Sequence, residues 1–409
     1  DHTTGAITAT ISDGDAATLK NLNDANSNNV YTITLTDNEV SVENINTINS
    51  ITSGTVTIES TTVTGSYSEL NTLYSDLTGL SGLGNESFTV SDEITVSQAN
   101  ILNTHTSGNI AATISDNDAP TLLKLTDTQH AYTITLSATE FTVTELNNLN
   151  LRTSVDITVN SNCTVTGSYS VFEALYGIPS PSGLTGLDSI KLIITDTSLT
   201  AAEVNTLNGY TSKTIDVSLL TTLTGSAGNM NTAYASSGII GLGNEAVTLD
   251  TTNATLDASV LNTLNNYTTG IINANEVINL NGTSAACSDV YIAAENGNIT
   301  NLGDEAVTIT NIHTLDELKT INNGTTGAII LNNLNKTLVG LDSDITAALH
   351  DIHDIIDYTG NITLTNTTLQ ASVLESISEL TSGTVNARMI DTLEGTTAEL
   401  NTAYGLSNV

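Results

Sequence analysis

Two rhythms of apolar spacing trade places along the chain. In segments such as "TVTIE" 55–59 and "EAVTLD" 245–250, apolar and polar residues alternate, the period of a strand with one buried face. A second short extended piece often follows, as in "ATLD" 254–257. Elsewhere apolar positions fall three or four apart, as at Leu70, Leu73 and Tyr74 or at Val204 and Leu207, which predicts helices with one apolar face. Ser66 with Glu69, Thr142 with Glu145, Thr200 with Glu203 and Thr396 with Glu399 each read S/T-x-x-E. In that motif the hydroxyl accepts from a free N–H of the first turn while the carboxylate reaches back to the cap residue. The helices that follow are about 8–11 residues long, too short to persist without neighbours, so stacking must hold them.

The strand and helix signals recur as a repeat. Thr-Ser-Gly-like triplets stand at 3–5, 52–54, 106–108, 153–155, 211–213, 268–270, 325–327 and 381–383, in steps of 47 to 58 residues with a mean of 54. An aliphatic column precedes them, Ile48, Leu102, Leu149, Leu207, Leu264, Ile321 and Ile377, each followed by Asn49, Asn103, Asn150, Asn208, Asn265, Asn322 and finally Ser378. The asparagines lie where each helix must end, a place for a left-handed residue that reverses the chain. Each period holds a related second half, such as "TVTGSYSELNTLY" 62–74 and "TLTGSAGNMNTAY" 222–234. It carries a glycine column, Gly65, Gly167, Gly225, Gly282, Gly340 and Gly395, and nine residues on Tyr74, Tyr176, Tyr234, Tyr291, Leu349 and Tyr404. Segments 12–22 and 115–125 are shortened versions of this half.

The two halves share a grammar, so the physical unit is one coil of about 23–32 residues, two per period. The predicted fold is an α/β solenoid in which each coil has short parallel strands and a short helix. Residues 1–409 then form one elongated domain of about seven and a half repeats, both ends falling inside a repeat. Strands of successive coils would lie about 4.8 Å apart. Equivalent side chains would then form ladders: the tyrosines Tyr74, Tyr176, Tyr234, Tyr291 and Tyr404, and the asparagine column.

Composition narrows this picture. Aromatic residues make up 4% of the 409, with no Trp and three Phe, so small aliphatic side chains must fill a narrow core. The hydrophobic share of 39% is nevertheless too high for a disordered chain. Eight Lys and Arg against 44 Asp and Glu give a net charge of -36, which leaves no basic patch for nucleic acid and suits a salty or calcium-containing fluid. No apolar run is long enough to span a membrane. Cys163 and Cys287 fall two periods apart, beyond disulfide reach on this register, and are predicted to be free thiols.

The phrases "GLGNEAVTLD" 241–250, "LDASVLNTLNNYTTGIINA" 256–274 and "TTLTGSAGNMNTAYASSGI" 221–239 resemble the units of very long Thr/Asn-rich tandem-repeat proteins encoded by marine bacteria, notably cyanobacteria. The resemblance covers nearly the whole chain and rests on the repeat units. It implies a cell-surface or secreted location and a structural or adhesive role, and it brings no catalytic residues.

Candidate chemistry is sparse. "SDGD" 12–15 and "SDNDAP" 115–120 place Asp13, Asp15, Asp116 and Asp118 in Asp-x-Asp loops with the oxygen ligands that calcium takes, or in plain acidic turns. "HDIHDIID" 350–357 sets His350 against His353 or Asp354 at helical spacing, the geometry of a transition-metal pair without a third ligand. The "GLGNE" and "NLGDE" turns present Asn85, Glu86, Asn244, Glu245, Asp304 and Glu305 either as a carboxylate row or as tight turns feeding a strand. With no Ser/His/Asp grouping, phosphate loop or Cys-x-x-Cys, the chain reads as a non-enzyme. The expected function is an extracellular fibre or filament made by stacking repeats, with subunits joining end to end. The alternative is a surface adhesin that holds glycan or calcium.

Overall fold

The computed structural model describes residues 5–23, 28–128, 130–176, 183–350 and 358–409. Among them fifteen α-helices alternate with thirty short strands. Neighbouring strands pair in parallel, as a chain must when it passes through a helix before returning to the same edge. The architecture is an α/β solenoid-like repeat. The chain separates into two compact units, one of Asp1–Ile194 with Tyr210–Ile215, the other of Thr195–Gly209 with Asp216–Val409.

Alternation in the strands becomes two kinds of column. In the first unit Val40, Val63, Phe88 and Ile110 are register partners on Glu39–Ser41, Thr62–Gly65, Ser87–Ile94 and Ile110–Ile114, and all are buried. In the second unit Leu199, Leu223, Val247, Ile272 and Ile299 do the same. Their sequence neighbours Thr200, Thr224, Thr248, Asn273 and Thr300 form the outward column of hydroxyls and one carboxamide. A period of two, repeated in register, is enough to separate a dry face from a wet one.

The turns are unequal, and this staggers the ladders. One turn of the second unit carries three strands, Ile239–Ile240, Ala246–Leu249 and Thr255–Asp257, whereas the next carries two, Ile272–Asn273 and Asn279–Gly282. Ala246–Leu249 therefore pairs with Ile272–Asn273, and Thr255–Asp257 with Asn279–Gly282. Each ladder slides one segment along and ends, as the one that starts at Ser198–Thr200 does at Ile299–Thr300.

Many of the helices bury a narrow stripe of residues three apart. Val42–Ile51 buries Val42, Ile45 and Ile48; Val143–Asn150 buries Val143, Leu146 and Leu149; Ala258–Tyr267 buries Ala258, Leu261 and Leu264. At roughly 1.5–3 kcal/mol for each large aliphatic side chain, the three buried by Val42–Ile51 or by Val143–Asn150 outweigh the poor intrinsic stability of so short an element. The capping pairs of Ser66, Thr142, Thr200 and Thr396 form as their spacing predicts, and Thr95 with Gln98 and Thr314 with Glu317 add two more. Hydrogen bonds from the backbone and hydroxyl of Ser66 hold the Glu69 carboxyl below its ordinary range, and Thr396 does the same for Glu399.

A second cap comes from the next turn. The first N–H of a helix donates to an Asp or Asn side chain 20 to 27 residues ahead, as in Val96 to Asp116 at 2.7 Å, Tyr67 to Asp92 at 2.8 Å, Ala227 to Asn253 at 3.0 Å and Ser284 to Asn311 at 2.7 Å. Part of the chain's acidity is thus spent on the positive ends of helix dipoles.

Candidate functional site

The most repeated side chain in the structure is the threonine that opens each triplet. Thr52, Thr106, Thr153 and Thr211 in the first unit, and Thr268, Thr325 and Thr381 in the second, are all at most 9% exposed. After each helix the chain turns extended at this residue, with φ near -130° at Thr52 and Thr325, so the hydroxyl points into the seam between turns. There, in six of the seven, it donates to a backbone carbonyl of the preceding turn: Thr52 to Tyr31 at 3.0 Å, Thr106 to Glu86 at 2.5 Å, Thr153 to Tyr132 at 2.8 Å, Thr211 to Ile190 at 2.5 Å, Thr325 to Glu305 at 2.7 Å and Thr381 to Gly360 at 2.7 Å. The same oxygen accepts from the N–H two residues on, at 2.9 Å from Gly54, Gly108, Gly270, Gly327 and Gly383. Glycine fits there because a Cβ on Gly54 or Gly108 would run into the carbonyl of Tyr31 or Glu86.

Beside this seam sits a buried acid. Glu86, Glu245 and Glu305, from the "GLGNE" and "NLGDE" turns, are 3%, 2% and 1% exposed. Each accepts from the hydroxyl of a helix tyrosine, Tyr74, Tyr234 and Tyr291 respectively. The second carboxylate oxygen accepts loop N–H groups, from Gly84 and Asn85 at 2.8 and 3.0 Å and from Gly243 and Asn244 at 2.9 and 3.1 Å. Gly84, Gly243 and Gly303 have φ of 119°, 134° and 137°, the left-handed region that curls successive amides toward one anion. Burial, then the neighbouring carboxylate, pushes the Tyr291 hydroxyl well above its ordinary range, so it stays a donor. The sequence offered these turns as a carboxylate row or as strand-feeding turns; they feed strands, with the carboxylate folded inward.

The tyrosine ladder takes a different form from the one the spacing suggests. Three helix tyrosines instead meet the residue before the triplet of the following turn: Tyr176 stacks on Tyr210 at 4.6 Å and Tyr234 on Tyr267 at 5.8 Å between centroids, while Tyr74 lies 5.8 Å from His105 with the rings tilted by 32°. Tyr291 lies against Gly324, which has no side chain to hold it off. The column recurs once per two turns, so its members are about 10 Å apart at strand spacing and an intervening residue meets each ring. Tyr404 is 81% exposed. Where the preceding helix is the short Ala16–Leu19 or Ala119–Leu122, a strand supplies the ring: Tyr31 and Tyr132 are buried at the position that Glu86 holds elsewhere. Tyr358, at 3% exposed, follows the helix whose column residue is Leu349.

The asparagine column is also corrected. Asn49, Asn150, Asn208, Asn265 and Asn322 lie within right-handed helices, and Asn103 is a right-handed cap. Among the described residues Asn301 is the one non-glycine with positive φ. Reversal is left to the extended threonine, and the asparagines reach across to the next turn. Asn49 donates to Thr78 at 3.1 Å, Asn208 to Ser236 at 3.2 Å, and Asn322 to Ala347 and His350 at 2.9 Å each; Asn103 bonds His130 at 2.6 Å.

The proposed calcium ligands have other work. Asp15 and Asp118 are N-caps, accepting from Ala17 and Thr121, Asp13 accepts from Asp15 at 2.9 Å, and Asp116 caps the previous helix. Among the described residues no three His, Cys, Asp or Glu side chains converge as a metal site would need. His350 is the exposed cap of Asp342–Leu349, while His353 and Asp354 lie outside the described residues. Cys163 and Cys287 are buried and unpaired with each other. No helix among the described residues is long and apolar enough to cross a membrane.

The arrangement joins one turn to the next through hydroxyls, carboxamides and carboxylates. The sequence shows the threonine, but its burial is invisible until two turns lie together. No protein-family model matches the chain, and no curated protein is found to be similar to it.

Proposed function

We propose that this chain is a structural protein, a solenoid-like repeat that builds the shaft of an extracellular fibre or filament, with subunits joining end to end. The observation that carries this reading is the sevenfold buried threonine. Its residues serve the joint between neighbouring turns, and the same joint works equally well between turns of different chains. Such a contact is heterologous and does not close, so it propagates as a thread. The net charge of -36 and the likeness to secreted Thr/Asn-rich repeats support an extracellular setting, where ions screen self-repulsion.

Negative-stain imaging of the purified chain over a range of concentrations tests this. Uniform threads many chain-lengths long are expected, and discrete single particles at every concentration would refute end-to-end joining.

A second reading, an adhesin for glycan, is favoured by a cavity of about 390 Å³ lined by Tyr176, Leu184, Asp188 and Tyr210. An aromatic wall beside a carboxylate suits a sugar ring. Saturable binding of defined oligosaccharides that disappears in Tyr210→Ala would establish it. Melting with and without a chelator tests whether calcium takes part.

A further inference from the structure

Two of the aromatic contacts are phenol on phenol. Tyr176 and Tyr210 lie 4.6 Å apart with planes inclined by 5°, and Tyr234 and Tyr267 lie 5.8 Å apart at 9°. In both pairs one ring belongs to a second-half helix and the other to the last residue of the next helix, Ala201–Tyr210 or Ala258–Tyr267. The outer ring is reachable: Tyr267 is 42% exposed and Tyr210 half-buried. The inner rings have ready hydrogen-bond acceptors, Tyr234 donating to the Glu245 carboxylate and Tyr176 to the Leu187 carbonyl at 2.8 Å.

A phenol loses an electron more easily when its proton has somewhere to go, and a hydrogen-bonded carboxylate is such a place. We propose that these stacked pairs are oxidative cross-linking sites, where hydrogen peroxide acting through a one-electron peroxidase joins Tyr234 to Tyr267 and Tyr176 to Tyr210 as dityrosine. Each phenol gives up one electron and its O–H proton, the Tyr234 proton passing first to Glu245. The two phenoxyl radicals join through the ring carbons ortho to oxygen, forming one C–C bond. Both ortho hydrogens then leave as protons while both oxygens are reprotonated. The two electrons and two protons released reduce one peroxide to two waters, so two tyrosines and one peroxide become one dityrosine and two waters. The bond would tie adjacent turns covalently in a protein whose two cysteines, buried and unpaired, supply no such tie. This inference does not depend on filament formation, because both rings belong to one chain.

The test uses the full chain at low concentration with a peroxidase and peroxide, read by dityrosine fluorescence, by migration as a monomer on denaturing gels and by mass spectrometry of cross-linked peptides. The expected products are intrachain peptides linking 176 to 210 and 234 to 267, each lighter by two hydrogens. Tyr210→Phe and Tyr267→Phe keep the stacked ring and remove the phenol. Each should abolish its own linkage and leave the other, and the double variant should lose both. Glu245→Gln should slow the 234–267 linkage while 176–210 in the same molecule serves as the reference. Intrachain fluorescence that persists in the double variant, or wild-type coupling confined to exposed residues such as Tyr404, would overturn the proposal.

Discussion

Replacing Thr325 by valine isolates the joint between turns. Valine keeps the shape of threonine, so no cavity opens, and the loss is the hydroxyl alone. That hydroxyl donates to the Glu305 carbonyl at 2.7 Å and accepts from the Gly327 N–H at 2.9 Å, with the threonine 7% exposed. An orphaned buried polar group costs about 1–3 kcal/mol, and water can partly replace the bond to half-buried Gly327, so the expected penalty is about 2–4 kcal/mol. Repeat stacks open locally, which makes hydrogen exchange of the amides between Glu305 and Leu331 the appropriate assay. The penalty corresponds to exchange roughly 30- to 700-fold faster in that seam. Thr325→Ser keeps the hydroxyl and loses one methyl, for about 1 kcal/mol. Thr326→Val, next door and exposed, should stay within about 0.5 kcal/mol. A loss below about 0.5 kcal/mol at Thr325, or an equal loss at Thr326, would refute the assignment of the buried hydroxyl as the joint.

Gly108→Ala should destabilise the first unit by about 1–3 kcal/mol in urea melts, since its Cβ meets the Glu86 carbonyl; a neutral result would mean the turns can separate slightly without penalty. His313 is fully buried, with its Nε2 facing Tyr358 and with Glu317 and Lys336 nearby, and burial holds its pKa below the usual value, so it folds neutral. The unfolded state then binds more protons, and stability that is full above about pH 6.5 falls as pH drops, by at most about 1.4 kcal/mol per unit for this residue. Urea melts across that range should show this slope flattened in His313→Gln, and an unchanged slope would place the effect elsewhere. Burial, with Asp257 adding to it, pushes the Cys287 thiol up to about 12, so it should resist thiol reagents at about pH 8 until urea is added. Stoichiometric labelling of the native chain would contradict that.

Much of this protein is determined by its sequence alone, because its signals are local. Alternation at "EAVTLD" 245–250 needs only a period of two, and Ser66 with Glu69 needs only one helical turn, so strands, helices and caps could be placed without knowing what lies beside them. The period of 47 to 58 residues made stacked turns the natural consequence. Contacts between turns were decided only by tertiary structure, because each depends on two residues 20 or more positions apart meeting at a register the text does not state. Asp116 looked like a calcium ligand because nothing local reveals that the first N–H of the preceding helix points at it. Asn208 looked like a left-handed stop because its own segment does not show that a carbonyl or hydroxyl of the next turn lies within reach. Glu86 and Tyr74 are twelve residues apart and polar, and only the closing of the turn around them turns an apparently exposed acid into a buried one. The Thr52 hydroxyl is an ordinary polar group in the text and a buried joint in space, since its meaning resides in the carbonyl of a different turn.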